Sequence, residues 1–277
     1  MEACYKISRA LQSVRKTKPL VHHITNYVTA NDCANITLAI GASPVMADDI
    51  CEVRDMVALA NSLVINLGTL NSRTVESIMA AGKRANELSI PVVLDPVGAG
   101  ATPYRTKIAR EIMNEIKIAV VRGNLSEIKA LYGINVKTKG VDSSEEFSAD
   151  KAVSSDIKKV AQDFANQFHT IVAITGKIDL ITDGKRVKLI KNGHEMLSRI
   201  TGTGCMCTSL IGSYIGAEND YFHGAIAGVA TMGIAGEIGY SKLDKNEGPG
   251  RLKVKILDTI YHLSEEDILK WGKIYEE

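Results

Sequence analysis

Short β-branched apolar runs alternate with longer amphipathic stretches, and nothing else in the chain restricts its fold as much. The runs are 62–67 (SLVINL), 90–94 (IPVVL), 117–121 (KIAVV) and 170–174 (TIVAI). Strands buried on both faces of a parallel sheet have this character. Between them, residues 72–88, 103–115 and 154–168 space apolar side chains three to four apart, as a helix with one buried face does. The alternation predicts βαβ units around a mostly parallel sheet, an α/β fold. Segments 179–182 and 186–190, separated by Asp183-Gly184, predict an added hairpin. From Gly204 onward the pattern is nearly all helical, and the polar stretch 135–150 reads as a surface loop. No repeat, low-complexity tract or linker interrupts the 277 residues, so 1–277 is expected to form one domain.

Charge and composition exclude several function classes. Lys+Arg number 33 against 32 Asp+Glu, and aromatic residues are only 5%. Neither a basic field nor a stacking surface is offered to nucleic acid. The longest apolar stretch, 224–236, has 13 residues of mostly small side chains. A spanning helix needs ~20, so no membrane partner is expected. The first residues are charged throughout and lack an apolar signal core. The odd count of 5 cysteines reads as thiols of a reducing compartment. A cytoplasmic protein is the expectation.

The informative residues stand where the strands end. In open α/β sheets, ligands bind at the carboxyl ends of the strands. Here those ends read Asn66-Leu67-Gly68-Thr69, Asp95-Pro96-Val97-Gly98, Arg122-Gly123-Asn124 and Thr175-Gly176. Turns favour such residues for conformational reasons alone, but four together point to a site on one edge. The strongest element is Thr201-Gly202-Thr203-Gly204-Cys205 before an apolar helix. Glycines at a helix start expose backbone N–H groups that bind anions, phosphate above all. A P-loop is excluded because no GxxxxGK[ST] occurs. Gly98-Ala99-Gly100 begins like a dinucleotide fingerprint, but Pro103 stands where the third glycine belongs.

Asn124 and Glu127 have the spacing of a helix capping box. Glu127 with Asp95 also suits Mg²⁺, which takes one or two carboxylates plus phosphate oxygens. Cys205 at a helix start would have a lowered pKa, or would simply be a small buried residue. Adjacent His22 and His23 point in different directions in any regular structure, so they make a poor metal pair. Met46 is either core filler or the wall of an apolar pocket.

Several stretches are familiar as a set: PLVHHITNYVTANDCANITLAIGASPVMA (19–47), VINLGTLN (64–71), VVLDPVGAG (92–100), RGNLSEI (122–128), ITGKIDLITDG (174–184) and ITGTGCMCTSLIG (200–212). In order and across nearly the whole chain, they resemble the hydroxyethylthiazole kinases, thiamine-salvage enzymes of the ribokinase-like family. The resemblance implies a ribokinase-like three-layer α/β/α sandwich. It implies ATP- and Mg²⁺-dependent phosphorylation of the hydroxyl of 4-methyl-5-(2-hydroxyethyl)thiazole, in a homotrimer with the thiazole site between subunits. By motif, Asn26 and Met46 would line the thiazole pocket, with Gly68 and Gly202 as further substrate contacts. Arg122, Thr175 and Asn124 would contact ATP, and Asp95 and Glu127 would serve the magnesium. Gly202, Thr203 and Gly204 would form an anion hole.

Most ribokinase-like relatives carry aspartate where Cys205 stands. Phosphoryl transfer depends mainly on positioning and charge stabilisation. Cys205 is therefore expected to position the hydroxyl and assist modestly. The alternatives are a hydroxymethylpyrimidine-type alcohol kinase, an ATP-dependent hydrate dehydratase, or an idle nucleotide-binding module. The HHITN and GASPVMA stretches favour the thiazole kinase.

Overall fold

A computed structural model describes residues 1–134 and 153–276. The stretch 135–150 lies outside the described residues. In chain order the elements are α1 (Glu2–Thr17), β1 (Leu20–Ile24), α2 (Ala30–Ile40), β2 (Ser43–Met46), α3 (Val53–Leu59), β3 (Ser62–Asn66), α4 (Ser72–Glu87), β4 (Val92–Asp95), α5 (Pro103–Glu115), β5 (Val120–Gly123), α6 (Leu125–Tyr132) and α7 (Ser155–Phe168). There follow β6 (Ile171–Ile174), β7 (Asp179–Thr182), β8 (Val187–Ile190), α8 (Thr203–Ala217), α9 (Tyr221–Ser241), α10 (Pro249–His262), α11 (Glu265–Trp271) and β9 (Ile274–Glu276).

The strands form one 9-stranded sheet in the order β2-β1-β3-β4-β5-β6-β7-β8-β9. Pairing is parallel from β2 to β6 and antiparallel from β6 to β9. Successive strand residues face opposite sides, and the core divides accordingly. Val64, Val93, Val120 and Ala173 join the buried cluster formed with α1, α2, α8, α9 and α10. Leu63, Ile65, Leu94, Val121 and Val172 join the cluster formed with α3 to α7. Two cores on one sheet make the three-layer α/β/α sandwich that the alternation and the resemblance led us to expect.

The predicted runs all appear, with ends shifted by one to three residues. The hairpin turns through Gly184, whose φ of 90° is left-handed. Three strands carried no apolar-run signal. β1 (LVHHI) buries two histidines. β2 lies at the sheet edge and carries Pro44, whose missing N–H is tolerated there. β9 closes the opposite edge in a C-terminal region that reads as helical. The apolar stretch 224–236 lies inside α9, buried between neighbouring helices and the sheet. Gly224 and Gly228 let it approach α8, where an added Cβ would meet Ile215 Cγ2 at 2.8 Å and Ile211 N at 2.7 Å.

Candidate active site

Strand register builds one wall of the site. Asn66 pairs with Asp95 across β3 and β4, and Leu94 pairs with Val121 across β4 and β5. Asp95 and Arg122 are the next residues along. Each of Asn66, Asp95 and Arg122 lies two residues beyond a valine of the α8-side core, so all three face α8. Thr175 follows Ala173 on β6 by the same step.

The start of α8 stands over this wall. Gly202 is its N-cap, with φ 93° and no capping side chain, so the first-turn N–H groups of Thr203, Gly204 and Cys205 remain for a ligand. Glycine suits the left-handed φ of Gly202, and at Gly204 it lets a side chain close in. A Cβ on Gly202 would sit 2.7 Å from Thr29 Cγ2, and one on Gly204 would sit 2.5 Å from Arg122 Nη1. The Arg122 guanidinium therefore lies directly against the glycine turn. It donates to Thr175 Oγ1 and stands 3.6 Å from Asp95 Oδ2.

Asp95 is wholly buried. Its Oδ2 accepts from Thr208 Oγ1 (2.8 Å) and Asn66 Nδ2 (3.0 Å). Burial pushes its pKa up, against the opposing pull of Arg122 and these donors. Asp95 Oδ1 is buried with no hydrogen-bond partner. Glu127 completes the capping box with Asn124, its Oε2 accepting from Asn124 N at 2.8 Å and its Oε1 from Gly98 N at 2.9 Å. Burial and then the nearby Asp95 charge push Glu127 up to about 7. The Asn124 side-chain oxygen accepts from Glu127 N and Ser126 Oγ, so it serves the helix start.

Cys205 Sγ accepts from Asn66 Nδ2 (3.3 Å) and Asn26 Nδ2 (3.4 Å). Of the two expectations for Cys205, the lowered pKa is the one its surroundings oppose. Desolvation, then the Asp95 charge, push the Cys205 thiol up. Gly68 permits the approach of Asn26, whose side chain an added Cβ would meet at 2.8 Å. Met46 stays apart from this network, 39% exposed at the end of the edge strand, with its backbone in register with His23. His22 and His23 diverge, to Ala47 O and Ser209 Oγ respectively.

Sequence reasoning assigned no role to Asn66, Thr208 or Arg105. Asn66 was legible as the third polar strand end beside Asp95 and Arg122. Arg105 was not, because its guanidinium reaches Leu67 O, Gly68 O and Val97 O from α5, tying two strand-end loops together.

Asp95 fits Mg²⁺ through its unpartnered Oδ1. Both Glu127 oxygens already hold backbone N–H groups, so Glu127 fits through its remaining lone pairs or a bridging water. Among the described residues no three His, Cys, Asp or Glu side chains converge as a metal cage. An ion here would draw its other ligands from phosphate and water.

A mostly parallel sheet between two helical layers, with an uncapped helix start over a strand-end carboxylate and arginine, is the architecture of the ribokinase-like fold. A ribokinase-like superfamily protein from Enterococcus faecalis V583 shares the fold, with a TM-score of 0.63, 10% identity, and coverage of 89% of this chain and 87% of that one. The pattern of the Hydroxyethylthiazole kinase family matches residues 11–266. A hydroxyethylthiazole kinase of Clostridium tetani is 52% identical over 99% of both chains. The structure of the hydroxyethylthiazole kinase protein from Pyrococcus horikoshii OT3 has a TM-score of 0.86 at 40% identity, covering 98% of both chains. This chain belongs to the hydroxyethylthiazole kinase family.

Proposed function

We infer that the protein transfers the γ-phosphoryl group of ATP to the hydroxyl of 4-methyl-5-(2-hydroxyethyl)thiazole, with release of ADP, in thiamine salvage. The observation that carries this is the meeting of the α8 start, Arg122 and Asp95 around Cys205. Free N–H groups and a guanidinium can take the charge of a transferring phosphoryl group, and Cys205 stands in the same helical turn.

Each residue then has a task. The N–H groups of Thr203 and Gly204 receive the γ-phosphate oxygens. Arg122, held by Thr175 and Asp95, neutralises the phosphate chain. Mg²⁺, when bound, would shield the phosphate charge from Asp95 and Glu127. Cys205, carrying its proton, holds the acceptor hydroxyl in line rather than deprotonating it. Asn26 and Gly68 border the acceptor side. Met46 supplies an apolar wall from an exposed edge, which suits a site completed by a second subunit. A homotrimer with the thiazole site between subunits is what the likeness to the family implies, and the continuous sheet supports one domain over 1–277. No helix among the described residues is long and apolar enough to cross a membrane, and the cytoplasm is the inferred compartment.

A coupled ADP assay with and without the thiazole alcohol, and with and without Mg²⁺, tests the reading. ADP release should require both. ATP binding with no alcohol-dependent release would sink the kinase. A faster rate with hydroxymethylpyrimidine would reassign the substrate. Sedimentation tests the assembly, where a monomer would remove the role given to Met46.

A further inference from the structure

Asn66 is buried, with 4% exposure. It links the thiol to Asp95, Asn26 and Gly68. Its Oδ1 accepts from Asn26 Nδ2 (2.8 Å) and Gly68 N (2.9 Å). Its Nδ2 donates to Asp95 Oδ2 (3.0 Å) and to Cys205 Sγ (3.3 Å). All of these bonds are satisfied in only one orientation of the amide. Flipping it would set an oxygen against the Asp95 carboxylate and an NH₂ against two donors. Asn26 is oriented in the same way, since its Oδ1 accepts from Thr29 N at 3.0 Å. A relay of amides thus runs from the α2 start through Asn26 and Asn66 to Asp95, and each amide spends one N–H on the Cys205 sulfur.

We propose that Asn66 is a positioning residue for phosphoryl transfer, holding the Cys205 thiol and the Asp95 carboxylate at fixed separation beneath the anion loop. The proposal rests on the kinase reading for its effect on turnover, but the Asn66–Cys205 link stands without it. The two N–H donors make the sulfur an acceptor on its sheet side and aim it in one direction. The same amide holds Asp95 Oδ2, so Oδ1 alone is left unpartnered. Losing Asn66 releases both groups at once.

The test uses Asn66→Asp, which keeps the shape but removes both donors, and Asn66→Ser as a second variant should the first fold poorly. Turnover should fall about 10²-fold, the usual effect of misplacing a reacting group by about 1 Å, with KM for the alcohol changed less than about threefold. In a Cys205→Ala background the same substitution should cost several-fold less, because the two residues act as a unit. Alkylation of Cys205 by iodoacetamide, followed on its own peptide by mass spectrometry, should slow about tenfold in Asn66→Asp, because a carboxyl group replaces an N–H donor to the sulfur. Unchanged kcat, a loss confined to KM, or an equal loss in both backgrounds would overturn the proposal. Should the wild type not turn over the thiazole alcohol, the kinase reading fails, and the alkylation rate alone decides the Asn66–Cys205 link.

Discussion

Cys205 sits in the first turn of a helix, a place that favours thiolate, yet it is half-buried near Asp95 and against two amides. Desolvation and the carboxylate push its pKa up, the direction that favours the thiol. Cys205→Ala should then lose well under the ~10² that removal of a general base costs at the low end. Cys205→Asp should keep kcat at or above the Cys205→Ala level, and a collapse below it would count against the positioning role. Arg122 is a stricter case. Its fork reaches Thr175 and Asp95 while lying against Gly204, and lysine cannot reproduce that geometry. Arg122→Lys should lower kcat/KM for ATP by about 10²-fold. These roles were visible in part. Asp95, Arg122 and Thr175 announced themselves as polar ends of apolar strands. Asn66 stood among them but received no role, because its importance lies in what it touches across β4 and α8.

The start of α8 and its packing on α9 both depend on the absence of side chains. Gly204→Ala would drive a methyl group to 2.5 Å from Arg122 Nη1. The arginine would have to leave the loop, so steady-state kinetics should show turnover down about 10²-fold while thermal unfolding changes little. Gly228 is the structural counterpart, since its added Cβ would meet Ile211 backbone N at 2.7 Å. Gly228→Val should destabilise the protein by at least the usual ~1–3 kcal/mol of overpacking, measured by urea unfolding. β1 and β2 were missed because hydrophobic runs reveal strands buried on both faces by apolar contacts. Two histidines in one, and edge exposure with Pro44 in the other, hide that signal.

Across the whole molecule, buried carboxylates gather where the sheet meets α8 and α6. Asp179 is buried, with Gly176 N donating to it, and burial pushes it up to about 7. The folded state therefore holds a proton that the unfolded chain releases near pH ~4. Below that range the group's contribution to stability is fully present, and it is lost as pH rises toward 7. Asp179→Asn should gain thermal stability relative to wild type progressively between pH 4 and pH 7, and a constant difference across that range would contradict it. The sequence by itself determined the α/β class, the glycine turn at the start of α8 and most of the polar strand ends. Periodicity, β-branching and glycine placement are local properties, and they need no partner to be read. Tertiary structure alone decided that Asn66, Asp95 and Arg122 share one face, that Arg122 lies against Gly204, and that the Cys205 thiol is pushed up. Register between strands distant in sequence and the desolvation of charge exist only once the sheet and its helices have closed on one another.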